Sequence, residues 1–201
     1  MKGNLFLRSF LVGLTTLGVA TNAMAVMSVP YGWYAEGNAG QSRISQGYPA
    51  PSSSSNTGFG WNANAGYKIN PFAAAEIGYT HYASIRIRNG FGTNVANNSH
   101  YSYDIAAKGI MPIGTTGAEI FVKAGISRIQ SNITVTNYTA AAASGLVFNT
   151  GTHISSGVYM GAGGEYSVTP NLLINLQWAK AKGTSKTGDG NLYSGGVSYI
   201  F

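Results

Sequence analysis

The sequence contains no cysteine. That excludes disulfides and a lipid-anchored N-terminal cysteine, and it removes the usual partners of histidine in a zinc site. Charge is scarce as well: Asp, Glu, Lys and Arg make up 9% of the chain, against about 25% in ordinary soluble domains. A chain so poor in ions suits a protein with little of its surface in water. The net charge of +6 includes Lys2 and Arg8, and no basic run exists elsewhere, so nucleic acid is not an expected partner. No long hydrophobic run occurs beyond the N-terminus, whereas a spanning helix needs about 18 to 20 apolar residues. The three histidines lack the spacing of a metal site, and no cofactor motif stands out.

What is present begins with an export signal. Lys2 and Arg8 form a positive n-region, Phe10 to Ala20 a short apolar core, and Ala23-Met24-Ala25 a small-x-small cleavage site. Residues 1–25 are therefore expected to be a signal peptide and 26–201 one domain.

Within that domain apolar and polar residues alternate, the period of a strand. The clearest stretch is Phe59 to Ile69, with Phe59, Trp61, Ala63, Ala65, Tyr67 and Ile69 opposite Gly60, Asn62, Asn64, Gly66 and Lys68. Similar stretches run over Trp33 to Ser42, Phe72 to Ile85, Tyr101 to Met111, Ala118 to Ile129, Ile154 to Val168, Leu172 to Ala179 and Asn191 to Phe201. Tight turns are expected at Asn70-Pro71, Gly114 to Gly117 and Thr169-Pro170-Asn171. Long polar loops are expected at Arg43 to Thr57, Arg86 to Ser99 and Gln130 to Thr152, with a shorter basic loop around Lys182 to Gly190. Long and short connections alternate, which predicts an all-β fold: eight antiparallel strands in up-and-down order.

Alternation alone does not say which face is outside. A soluble barrel hides its apolar face around a ligand; a membrane barrel turns it to lipid. The acids decide. Glu36, Glu76, Asp104, Glu119 and Glu165 sit mid-strand on the polar parity with Lys68, Lys108 and Lys123, among glycine, serine and asparagine. A water-facing surface would carry charge at most positions, because water solvates ions cheaply. A narrow lumen instead needs small residues and a sparse set of ions that neutralise one another. The opposite parity carries no mid-strand ion, and its aromatics gather near strand ends. Trp33, Tyr67, Tyr166, Tyr199 and Phe201 lie at the tight-turn end; Phe59, Trp61, Tyr79, Tyr101, Tyr103, Trp178 and Tyr193 lie toward the long loops. Two aromatic girdles around an apolar band are the mark of a bilayer. The expected fold is an eight-stranded transmembrane β-barrel of the outer membrane.

The Gly32-Trp33-Tyr34 opening, the eight-strand rhythm and the terminal Tyr199-Ile200-Phe201 resemble the small outer-membrane barrels of Gram-negative bacteria, the OmpA-like transmembrane domain and its opacity-type relatives. The resemblance implies that Tyr199 and Phe201 form the signal read by the barrel-assembly machinery. Nothing follows Phe201 here, so the peptidoglycan-binding domain of full OmpA-type proteins is not expected.

For catalysis the candidates are His100-Tyr101-Ser102 and His153-Ile154-Ser155, which resemble the histidine-serine pair of outer-membrane lipid A deacylases. Parity points all four side chains into the lumen, where an acyl chain does not reach. The expected role is thus non-enzymatic: membrane integrity or adhesion through long loops, around a lumen plugged by its own side chains. The alternatives are a small porin-like channel and a lipid A enzyme. Expected partners are outer-membrane lipid, lipopolysaccharide phosphates facing Arg43, Arg86, Arg88, Arg128, Lys182 and Lys186, the assembly machinery, and a host or extracellular ligand at the loops. Two substitutions follow from the assigned faces: Ile120→Lys destabilises by about 2 to 4 kcal/mol near the midplane, and Gly125→Ser is mild.

Overall fold

The computed structural model describes residues 30–45, 53–54, 56–89, 91–143 and 151–201. The expected signal peptide lies outside them. Ten strands and one short helix follow in order: β1 Gly32–Ser45, β2 Ser53–Ser54, β3 Thr57–Asn70, β4 Ala73–His81, β5 Ile85–Arg88, β6 Asn94–Pro112, β7 Ala118–Val135, α1 Tyr138–Ala143, β8 Gly151–Ser167, β9 Leu172–Ala181 and β10 Asp189–Ile200. Eight of the strands form a closed antiparallel barrel, each paired to its neighbours in the ring β1-β3-β4-β6-β7-β8-β9-β10. Closure is made by β1 and β10, from Tyr34 opposite Ile200 to Ser45 opposite Asp189. The amide of Phe201 adds one more bond, donating to the Trp33 carbonyl at 2.9 Å.

Closure matters because a sheet edge in lipid would leave backbone groups without partners. The tight turns fall where their residues dictate. Asn70 Oδ1 accepts from the Phe72 amide at 2.8 Å, and Thr169 Oγ1 accepts from the Leu172 amide at 3.0 Å. Between β6 and β7 the chain turns through Gly114 and Gly117, both at positive φ, which glycine adopts without a side-chain clash.

The other end departs from expectation. The stretches Arg86–Ser99 and Gln130–Thr152 were expected as loops; much of each is strand or helix. β6 begins at Asn94 and β7 continues to Val135, paired from Ala96 opposite Val135 downward. Here the apolar positions change sides, Val95 and Val135 turning inward while Asn132 and Thr134 are exposed, so the outward apolar alternation ends while the backbone ladder persists. Phe72 to Ile85 likewise divides into β4 and β5, because the register against β6 slips by one residue between His81, opposite Tyr101, and Ile85, opposite Asn98. β5 pairs with both β2 and β6, building a small sheet that rises from the barrel.

The burial pattern is that of a barrel with its apolar side outward. Ile77, Ile105, Val122, Ile126, Val158, Ile174, Leu176 and Val197 are all exposed, while Glu36, Lys68, Glu76, Lys108 and Lys123 are buried. Inside, two apolar layers bracket the ions. At the tight-turn end Tyr34, Ala74, Ile110, Phe121, Leu173 and Ile200 pack together. At the long-loop end Ile44, Tyr82, Ile85, Ile87, Val95, Ala96 and Leu192 form an apolar cap, with Val135 and Ala140 against it.

Candidate functional site: the charged lumen and its rims

The buried ions come from separate strands and meet across the lumen. Lys68 of β3 reaches Glu119 of β7, with both carboxylate oxygens 3.0 Å from Nζ. Lys108 of β6 donates to Glu165 at 2.8 Å and stands 3.8 Å from Glu76. Lys123 of β7 bridges Glu76 at 2.8 Å and Glu36 at 3.3 Å. Tyr34 donates its hydroxyl to Glu76 at 2.5 Å, and Asn38, Asn64 and Gln177 all donate amide hydrogens to Glu36 Oε1. Phe121 completes the stack, its ring 4.2 Å below Lys108 Nζ and 5.2 Å from Lys123 Nζ. Such a network is stable only when each ion is paired and hydrogen-bonded, since a lone one costs several kcal/mol.

One member stands apart. The set was expected to balance, yet five acids face three lysines among the described residues of the lumen, and Asp104 has no cation within ion-pair distance. Its neighbours explain the exception. Asn64, Gly78 and Asp104 face one another across β3, β4 and β6. A methyl group on Gly78 would stand 2.6 Å from Asn64 Oδ1 and 2.7 Å from Asp104 Oδ1, so glycine there leaves room for both side chains. The Asn64 amide nitrogen, however, is turned to Glu36.

The two histidine-serine pairs align across β7. His100 and His153 both register with Ser131, and Ser102 and Ser155 both register with Ile129. His100 and Ser102 are fully buried, and Ser155 Oγ lies 2.6 Å from Thr187 Oγ1. Above them Tyr82, beyond the end of β4, sits 3.2 Å from Ser102 Oγ, and burial pushes its phenol well above the ordinary tyrosine value.

On the outer wall the aromatics gather at two levels. Trp33 packs edge-on to Tyr67 at 5.3 Å, and Tyr199 to Phe201 at the same distance, with Tyr166 exposed on β8. At the other end Trp61, Tyr79, Tyr101 and Tyr103 form a continuous set with centroids 5.2 to 6.2 Å apart. Phe59 and Tyr193 are exposed there too, and Trp178 is half-buried on β9. Arg43, Arg86 and Arg88 lie beyond this level, and Arg128 lies at it. Arg128, expected at a loop edge, is in the body of β7 opposite Tyr103, because β7 runs on past it; the outward parity, expected to hold no mid-strand ion, therefore carries one at the aromatic level. Arg86 and Arg88 are exposed on β5, while Ile85 and Ile87 turn into the cap. These basic positions were legible in the sequence; that β5 is a strand was not, since four residues carry too little periodicity.

An apolar outer wall bounded by two aromatic levels, around a closed ring of strands with its ions inside, defines an outer-membrane β-barrel. The model of a family described as the outer membrane protein beta-barrel domain matches residues 11–201, and the chain belongs to that family. Solved structures share the fold. Neisserial surface protein A is 18% identical, with a TM-score of 0.59 over 84% of this chain and 97% of its own. OprG of Pseudomonas aeruginosa is 9% identical, with a TM-score of 0.60 over 88% and 99%. Ail, the attachment invasion locus protein of Yersinia pestis, in complex with the heparin analogue sucrose octasulfate, is 16% identical, with a TM-score of 0.53 over 85% and 98%. No curated protein matches the sequence. The protein is a bacterial outer-membrane barrel.

Proposed function

We propose that this barrel is a sealed surface protein that binds an anionic ligand outside the cell through the hairpin of β5 and β6. One observation carries the reading: Phe91, 89% exposed, lies between β5 and β6, and β5 presents two exposed arginines. Asn89 Oδ1 accepts from the amides of Phe91 and Thr93 at 3.1 and 2.9 Å, and the Asn89 amide donates to the Thr93 carbonyl at 3.0 Å. Beneath it Ile85 and Ile87 are fully buried in the cap. An exposed aromatic with two arginines on one face of a strand suits a sulfated or phosphorylated saccharide, since arginine matches such groups in fork geometry. Ail, which shares the fold, was crystallised with a ligand of that class.

The sealed lumen supports a non-conducting, non-enzymatic role. What supports this is an apolar cap toward one end, the Tyr34–Phe121 layer toward the other, and paired ions between them. The histidine-serine pairs open on neither lipid nor solvent at His100. In planar bilayers the refolded protein is expected to show no steady current. On heparin-coated surfaces it is expected to bind, with Arg86→Gln/Arg88→Gln reducing binding at least as much as Phe91→Ala. Equal retention on neutral dextran, or binding unchanged by these variants, contradicts the reading.

A further inference from the structure

The outer wall is not uniform. Between β1, β10, β9 and β8 a hollow of about 540 Å³ is lined by Ala39, Ala162, Leu176, Trp178, Tyr193 and Gly195. The strand register shows how it arises. Ala39 faces Gly195 and Gly195 faces Leu176, so two small side chains stand beside a large one. Two residues further toward the long loops, Gln41, Tyr193, Trp178 and Ala162 form the next row, and the two aromatic rings make its shelf. Two residues further again stand Arg43, Asn191 and Lys180, with Lys182 exposed beyond Lys180. The Asp189 carboxylate is the only acid on these strands at that level; it lies 3.5 Å from Lys180, and Arg43 and Lys182 are exposed. Taken across the strands the rows therefore run cation, aromatic, hollow, an order that β9 carries complete in Lys180, Trp178 and Leu176.

We propose that this face holds one anionic, phosphate-bearing lipid of the outer leaflet, its headgroup on Arg43, Lys180 and Lys182 and one acyl chain in the hollow. The cations lie at the long-loop end, outside the aromatic shelf, where headgroups sit. The hollow lies on the bilayer side of that shelf, where only hydrocarbon fits. Charge complementarity selects the headgroup, and the missing side-chain volume at Ala39 and Gly195 makes room for the chain. The site is separate from the hairpin of Arg86 and Arg88.

Trp178 is the reporter. With Trp33→Phe and Trp61→Phe in place it is the sole tryptophan of the chain. The protein is refolded into phosphatidylcholine bilayers containing a small, equal fraction of either brominated phosphatidylglycerol or brominated phosphatidylcholine, and quenching is compared. Phosphatidylglycerol is expected to quench several-fold more strongly. Arg43→Gln/Lys180→Gln/Lys182→Gln brings the ratio to one, and Gly195→Leu weakens quenching by both lipids. Arg86→Gln/Arg88→Gln leaves the ratio unchanged, which separates this site from the hairpin. Gel mobility with and without heating confirms that each variant is folded. Equal quenching by the two lipids in the starting protein overturns the headgroup site. A preference that survives Gly195→Leu at full strength overturns the acyl hollow.

Discussion

At the scale of single residues, space inside the barrel decides more than polarity. Gly125 faces the lumen, and polarity alone makes serine acceptable there. A Cβ at this position would stand 2.7 Å from the Ala106 Cα, against backbone that has no room to move. Gly125→Ser is therefore expected to be destabilising rather than mild, shifting the urea midpoint downward in liposomes. Gly163 belongs with it, since a Cβ there would meet Phe121 Cζ at 2.6 Å and the ring that supports Lys108 would have to shift. These clashes depend on which strand crosses beside the glycine, so the sequence does not display them. Within the body of each strand the face was legible from alternation, because period two is set by the strand backbone; Ile85 shares the parity of outward Ile77 yet is buried, since the register slips between β4 and β5. Depth also changes an expectation. Ile120 stands two residues into β7, beside the tight turn, so the midplane penalty falls on Val122, between the two aromatic levels. Val122→Lys is expected to cost about 2 to 4 kcal/mol by urea unfolding in lipid, and Ile120→Lys less.

At the scale of elements, the ion pairs tie strands that are far apart in the chain. Lys108 and Lys123 are register neighbours on β6 and β7, and Glu119 and Glu165 are neighbours on β7 and β8. Like charges directly opposite repel, and each finds its partner across the lumen instead. Lys123 and Glu36 are 87 residues apart, Lys108 and Glu165 are 57 apart. The membership of this set was readable from composition and parity; its pairing was not, because the shear of the barrel brings the partners together. Lys123→Met leaves Glu36 and Glu76 without their shared cation. It is expected to destabilise the barrel by about 3 to 5 kcal/mol, with partial recovery on adding Glu76→Gln. The same limit applies to the extended hairpin of β6 and β7. Its ladder continues where the outward face ceases to be apolar, and only pairing reveals it. Ile85→Ala removes a fully buried side chain from the cap and is expected to cost about 2 to 5 kcal/mol. Hydrogen exchange is expected to show the β5 amides losing protection while those of β1 and β10 keep theirs.

At the scale of the whole molecule, one arrangement organises the rest: an apolar exterior in lipid, ions and tyrosines within, and an apolar cap beneath the hairpin. Because the sequence contains no cysteine, single cysteines introduced along β9 give a direct map of this arrangement. Leu172, Ile174, Leu176 and Trp178 face outward, while Leu173, Asn175 and Gln177 face the lumen. Each position is spin-labelled in turn and its accessibility to oxygen, which concentrates in hydrocarbon, is measured in liposomes. The account predicts accessibility that alternates with every residue, high at 174 and 176 and low at 173, 175 and 177. Maxima at 173, 175 and 177, or no alternation along the strand, contradict it.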